Sequence, residues 1–370
     1  MRKILLTVLY LSLGYTSAPA LASACTPQHE AAVIALPDFQ SPAEIVSPPL
    51  GRPSRGLILL FSGSDVADMD SAILGTDGAI VSRPMRQVAD RLACAGYASL
   101  RYNKRYVTGP SSVDREKFDA LNGADFAADA ATALAFARAR PRLARLPLGL
   151  VGWSEGTSVA MALAAREPSV RALVLMAPVV ETSAQVAQAQ YSRIGKPYLM
   201  RFATGGTLDG DAIARAQAGS GGVLAQIFVR MFRGFRPGER INPLLDTDKD
   251  GRISFLEADR IITTWYADGP NSGLGMSSTA RALKGVAEAF VDTTPPILML
   301  QGLNDSMIGP EAVQAFAARP NVGKRVTLLT YRGLGHSLGP ANTDQEDNLL
   351  PVAKKPLDDM ATWLGRSLRR

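Results

Sequence analysis

Histidine is nearly absent from this chain, with His29 and His336 the two examples in 370 residues. A reaction that needs an imidazole base therefore has two candidates, and His29 lies ahead of the first expected core strand. Cysteine is equally scarce: Cys25 and Cys94 can form one disulfide at most. Apolar runs long enough to cross a membrane, about 20 residues, are missing as well. The run Ile4–Leu13 near the N-terminus is too short. A strong charge of one sign is lacking, since the net charge is +6, and no nucleic-acid motif is visible, which excludes nucleic acid as a partner. No internal repeat is evident, and 46% hydrophobic with 20% charged residues is globular composition.

What is present begins with "MRKILLTVLYLSLGYTSAPALASAC". Arg2 and Lys3, an apolar run, and small residues ending in Ala22-Ser23-Ala24 have the pattern of a secretory signal peptide over 1–24, which places the product in the periplasm or outside the cell. Its removal leaves a net charge of 6 − 2 = +4. Cleavage after Ala24 leaves Cys25 first, loosely fitting a lipoprotein signal with a lipid anchor on that cysteine, although Ala22 stands where such signals usually carry leucine. The alternatives are a Cys25–Cys94 disulfide in an oxidising compartment, or an inert buried thiol at Cys94 on the apolar stretch "RLACAGYASL".

After a leader over 25–50, short apolar runs alternate with amphipathic stretches. "GLILLFSGS", "YASLRYNKR", "LPLGLVGW" and "VRALVLMAPV" read as strands, and "RPMRQVADRLACAG", "DFAADAATALAFARARP" and "GTSVAMALAAREP" as helices. That alternation predicts an α/β fold, a doubly wound, mostly parallel sheet. The rhythm stops after Val180 and resumes at "PPILMLQGLND", so the core, 51–180 and 293–370, is split by a helical cap over 181–292. The cap carries helices, a loop at 246–257 and the Gly/Ser-rich stretch "DGPNSGLGMSS".

"GWSEG", Gly152 to Gly156, is a G-x-S-x-G pentapeptide between an expected strand and an expected helix, the context that presents a serine on a sharp bend. Ser154 needs a base, and His336 in "GLGHSLG" follows a late strand. The acid must come from a strand end between them. Asp305 in "LMLQGLNDSMI" sits there, with Asp292 and Asp344 as rivals. The chain order Ser, Asp, His fits nucleophilic acyl transfer.

Together these segments resemble the α/β-hydrolase superfamily, and within it bacterial serine esterases with a "GSGP-x-D-R-D" loop, an "RYDKRG" strand end and a "GHSEG" elbow. Here they stand as "SGSDVADMD", "RYNKR" and "GWSEG", within 57–181 and 293–340, with Ser62 and Trp153 replacing histidines. The resemblance implies an inserted helical cap, a small-molecule ester as substrate, and an oxyanion hole of backbone N–H groups from Glu155 and from the Gly63-Ser64 turn, with Ser64 as donor. The same chemistry serves a peptidase or a thioesterase, and a hydrolase fold kept as a non-catalytic, calcium-stabilised module is the alternative of another class.

"DTDKDGRISFLE" has the spacing of a helix–loop–helix calcium site: Asp246, Asp248, Asp250, the Arg252 carbonyl, Ser254 and Glu257 as oxygen ligands, with Gly251 at the turn. One such loop, with no second visible, points to structural Ca²⁺ clipping the cap rather than to a switch. In "VLAQIFVRMFRGF", Val223, Ile227, Met231 and Phe235 share a helical face that packs on the core or lines an acyl pocket, while Arg230 and Arg233 are solvated or meet an anionic substrate. No sequence feature fixes the oligomeric state.

Overall fold

Strands that are apolar at every position need cover on both faces. Leu57–Phe61, Leu148–Trp153 and Ile297–Gly302 are buried throughout. In the computed structural model, which describes residues 25–64, 66–75, 77–234, 236–267 and 283–369, they lie inside an eight-stranded sheet. The expected signal peptide, Phe235 and the Gly/Ser-rich stretch 268–278 lie outside the described residues.

The strands are β1 (Gln28–Leu36), β2 (Phe39–Ser47), β3 (Leu57–Phe61), β4 (Ala98–Tyr102), β5 (Leu148–Trp153), β6 (Val170–Met176), β7 (Ile297–Gly302) and β8 (Val326–Tyr331). Their order is β1-β2-β4-β3-β5-β6-β7-β8. The pairs from β4 to β8 are parallel, and β2 is antiparallel to both its neighbours. Alternate side chains divide between two cores. Leu57, Leu59 and Phe61 pack with helices α2 (Gly123–Arg138) and α3 (Gly156–Ala164) on one face. Ile58 and Leu60 pack on the other with α1 (Pro84–Cys94) and the C-terminal helix Lys354–Ser367.

The leader assigned to 25–50 is corrected here, because residues 28–47 form the β1–β2 hairpin. Leu36-Pro37-Asp38-Phe39 makes its tight turn, with Asp38 at φ 56°. β1 is an edge strand with an exposed first half, so its apolar signal was weak. Just ahead of it, Cys25 is disulfide-bonded to Cys94 at the end of α1. Both sulfurs are thereby engaged.

Between β6 and β7 the chain builds a separate layer with its own apolar centre. It contains α4 (Ser183–Gln190), α5 (Gly210–Ala218), α6 (Val223–Arg233) and α7 (Phe255–Ala267). Tyr191, Tyr198, Phe228 and Phe232 fill this centre.

Candidate active site

The elbow follows from steric necessity. Ser154, between β5 and α3, adopts φ 55°, a left-handed conformation that costs a non-glycine residue energy and persists only where its surroundings enforce it. They do so through two glycines. A Cβ on Gly152 would lie 2.3 Å from the Gly156 carbonyl oxygen, and one on Gly156 would lie 2.3 Å from that of Phe61. The Ser154 N–H donates to the Met176 carbonyl (2.9 Å), and the Thr157 hydroxyl donates to the Ser154 carbonyl (2.5 Å). Ser154 is not exposed as expected at a bare turn. It is 7% accessible and lines a cavity bordered by both core and cap residues.

His336 Nδ1 lies 3.0 and 3.1 Å from the two carboxylate oxygens of Asp305, which is wholly buried just after β7. With Nδ1–H donating there, Nε2 is the nitrogen left with a lone pair. Asp305 is itself held: Oδ1 accepts the N–H groups of Met307 and Ile308 (2.8 Å each), and Oδ2 accepts Gln301 Nε2 (2.9 Å). The rivals go elsewhere. Asp292 pairs with Lys284 at 3.1 Å and Asp344 with Arg193 at 3.5 Å. His29 bonds to Glu44 on β2 at 3.0 Å.

A second buried carboxylate, unmarked by any motif, sits under the histidine loop. Asp347 accepts the N–H of His336 (2.8 Å) and the N–H and hydroxyl of Ser306 (3.2 and 3.1 Å). Burial pulls the His336 pKa down, but the negative charges of Asp305 and Asp347 outweigh it and leave the imidazole above its ordinary value. Trp153, which stands where the esterases have histidine, donates from Nε1 to the His336 carbonyl at 2.9 Å and packs on the ring.

Ser154 and His336 face a cavity of about 630 Å³ under the cap. Gly63, Ser64 and Trp153 line it from the core, and Val223, Leu224 and Ile227 from α6. Among the described residues the lining includes Asp68, Glu155 and Glu181 and no lysine or arginine. Gly63 passes so close to Ser154 that a Cβ on it would lie 3.4 Å from the serine Cβ. Its loop is tied down by Asp70, which receives Arg101 Nε (2.9 Å) and Arg83 Nη1 (2.7 Å). Burial pushes the Asp70 pKa up, yet the two guanidinium groups win and hold it below the usual range.

These features compare with known proteins as follows. The family model for serine aminopeptidase, S33, matches residues 78–339. The chain belongs to this hydrolase family. The α/β-hydrolase fold is shared with solved structures. An esterase of Pyrococcus furiosus is 14% identical, with 92% of each chain covered and a TM-score of 0.50. Est1E from Butyrivibrio proteoclasticus, with ferulic acid bound, is 15% identical, covering 92% of this chain and all of that one at 0.50. At these identities the likeness is one of fold. Among the curated proteins none matches the sequence.

The face expected on α6 of this S33-family hydrolase is a flank. Leu224, Ala225, Phe228, Val229 and Phe232 form the buried stripe, while Val223 and Ile227, about a third of a turn away, border the cavity. Arg230 and Arg233 are exposed on the side away from the buried stripe and do not line the cavity, which removes them as partners for an anionic substrate there.

In the loop at 246–257, carboxylate oxygens of Asp246, Asp248 and Asp250 lie within 4.8 Å of one another. Asp246 is 8% accessible and its Oδ1 is buried without a hydrogen-bond partner. Gly251 takes φ 81°, as the tight turn demands. Glu257 departs from the expected ligand arrangement: Oε1 accepts the Thr247 and Asp248 N–H groups and the Thr247 hydroxyl, and Oε2 accepts the Ser254 N–H and hydroxyl. Burial opposes ionisation, but these donors bring its pKa down to about 2. The Arg252 side chain points away, to the Thr207 hydroxyl at 3.0 Å.

A second loop of similar shape, unmarked in the sequence, pairs with the first. Leu208 sits opposite Ile253 in an antiparallel bridge, Gly206 has φ 79°, and a helix follows at Gly210. Where the first loop has Asp246, Asp248 and Asp250, this one has Arg201, Ala203 and Gly205. It offers no carboxylate at those places.

Proposed function

We propose that this S33-family hydrolase is an exported serine ester hydrolase working through an acyl-enzyme. The reading rests on His336, bonded through Nδ1 to a buried Asp305, facing the same covered cavity as a serine forced to φ 55°. Ser154 Oγ attacks the ester carbonyl and its proton passes to His336 Nε2; the tetrahedral intermediate collapses, and the departing alcohol takes that proton. Water, deprotonated by the same nitrogen, then attacks the acyl carbon and frees the acid and the serine. The N–H groups of Glu155 and Ser64 are assigned to the oxyanion.

Fluorophosphonate labelling followed by peptide mass spectrometry tests this directly. Label on Ser154, with ester turnover falling at least a thousandfold in Ser154→Ala, is the expected result. A labelled site elsewhere, or a Ser154→Ala variant within tenfold of the parent, overturns it. An unlabelled, inactive parent favours the non-catalytic binding module.

Asp68 and Glu181, in a lining that has no lysine or arginine among its described residues, favour a second reading in which an aminopeptidase-type substrate presents its ammonium there. Aminoacyl anilides, thioesters and simple esters assayed in parallel separate the alternatives by kcat/KM.

We further propose that one Ca²⁺ is held by Asp246, Asp248 and Asp250, with Glu257 turning toward it when it binds. The orphaned, buried Oδ1 of Asp246 and the all-oxygen donor set fit that ion. The ion would brace the cap, outside the chemistry. Export is supported by the signal-like N-terminus, and the Cys25–Cys94 pairing favours a disulfide over a lipid anchor, since acylation needs the same sulfur.

A further inference from the structure

Lys104 is a buried cation that the triad does not use. Its side chain is 7% accessible, and Nζ donates to the Gly63 carbonyl at 2.5 Å and to Glu155 Oε2 at 2.8 Å. These are the two places from which the oxyanion donors come. The peptide bond whose carbonyl is Gly63 carries the N–H of Ser64, and because that unit is planar and trans, fixing the carbonyl fixes the direction of the N–H. An ammonium on the carbonyl also withdraws electron density and makes the N–H a stronger donor. Glu155, the other backbone donor, is tethered through its side chain to the same nitrogen.

The placement of Lys104 is itself fixed by its neighbours. Asn103 receives the Met69 N–H at 2.8 Å and donates to the Val107 carbonyl at 3.0 Å, while Arg105 binds Asp129 through two nitrogens at 3.1 and 2.5 Å. The Phe126 ring lies 5.2 Å from Nζ. An ammonium so anchored works as a rigid strut between the loop after β3 and the elbow after β5.

We infer that Lys104 is a positioning residue that sets both backbone donors of the oxyanion hole, an inference that rests on the acyl-transfer reading above. It predicts a loss confined to the tetrahedral state. In Lys104→Met, kcat falls about ten- to hundredfold with KM nearly constant, and affinity for a trifluoromethyl ketone, which adds Ser154 Oγ to form a tetrahedral oxyanion, falls in parallel with kcat/KM.

Lys104→Met removes the cation 2.8 Å from the partly buried Glu155 carboxylate and is prone to misfold, so Lys104→Met/Glu155→Gln is measured beside it. The double variant removes both charges. If it melts close to the parent yet keeps the kcat and trifluoromethyl ketone losses, the strut role stands. If it recovers parental kcat, or if folded Lys104→Met stays within twofold of the parent, Lys104 is only a counter-ion and the inference falls. A parent that neither turns over esters nor labels at Ser154 overturns the acyl-transfer reading itself, a result distinct from an active parent with an unaffected Lys104→Met.

Discussion

At the residue scale, the site depends on groups held by sterics and buried charge. In the proposed acyl transfer His336 is a base only when neutral, and its pKa is raised because Asp305 and Asp347 together outweigh burial. Ester hydrolysis should therefore fail as pH falls, with the half-point of kcat/KM above the ordinary histidine value of about 6.5. Asp347→Asn keeps an acceptor for the His336 N–H but removes one negative charge. Its pH–rate profile should have the half-point at lower pH, and an unmoved half-point would show that Asp347 contributes no field at the imidazole. Gly156→Ala tests the elbow. The added methyl collides with the Phe61 carbonyl at 2.3 Å, and backbone cannot yield there, so denaturant unfolding should show a loss of more than about 3 kcal/mol.

At the scale of elements, the acidic loop gives α7 its start. Three carboxylates converge within 4.8 Å of one another, so a bound divalent ion would relieve their repulsion. At 100 times its dissociation constant a ligand adds about 2.7 kcal/mol, and extracellular calcium modules bind at roughly 10⁻⁴ to 10⁻³ M. Scanning calorimetry should show Ca²⁺ raising the melting temperature of the parent and not that of Asp246→Asn/Asp248→Asn. An unchanged parent would leave the loop an acidic turn. Glu257 has a separate role in the ion-free loop. Its folded pKa is depressed to about 2, so its contribution is fully present above the unfolded carboxylate value and is lost as pH falls from there toward 2.

At the scale of the whole molecule, two long-range links matter. The Cys25–Cys94 bond joins positions 69 apart in sequence, and in the chain-entropy account closing such a loop contributes about 4 kcal/mol. Cys25→Ser/Cys94→Ser should lower the denaturation midpoint accordingly, while intact mass of the parent purified without reductant should be 2 Da below the reduced, unlipidated chain, the mass of the two hydrogens given up on oxidation. A diacylglyceryl mass instead would restore the anchor. The second link is the cap, whose α6 supplies Ile227 to the cavity wall. Ile227→Trp should fill part of the cavity and cut kcat/KM for long-chain esters at least tenfold more than for acetyl esters. An equal loss on both would separate this wall from acyl selection.

The alternating elements, the elbow, and the order Ser154, Asp305, His336 are legible in sequence because they depend on local signals: apolar period, glycine at a forced bend, and residue type after a strand. The sequence also marked the acidic loop, whose spacing is written in consecutive residues. What it did not contain depends on contacts between distant segments. The β1–β2 hairpin lay hidden because an edge strand is half exposed. The buried stripe of α6 lies beside the face picked out in sequence, because Val223 and Ile227, as apolar as their neighbours, border the cavity, which is the second of the two readings of that face. The second loop has no carboxylate at the places of Asp246, Asp248 and Asp250 and is recognised by its pairing with Ile253. Asp347 is an ordinary charged residue in sequence, and Lys104 is marked there only as a member of "RYNKR". Folding makes them distinctive, since burial without water gives each charge authority over the few groups it touches.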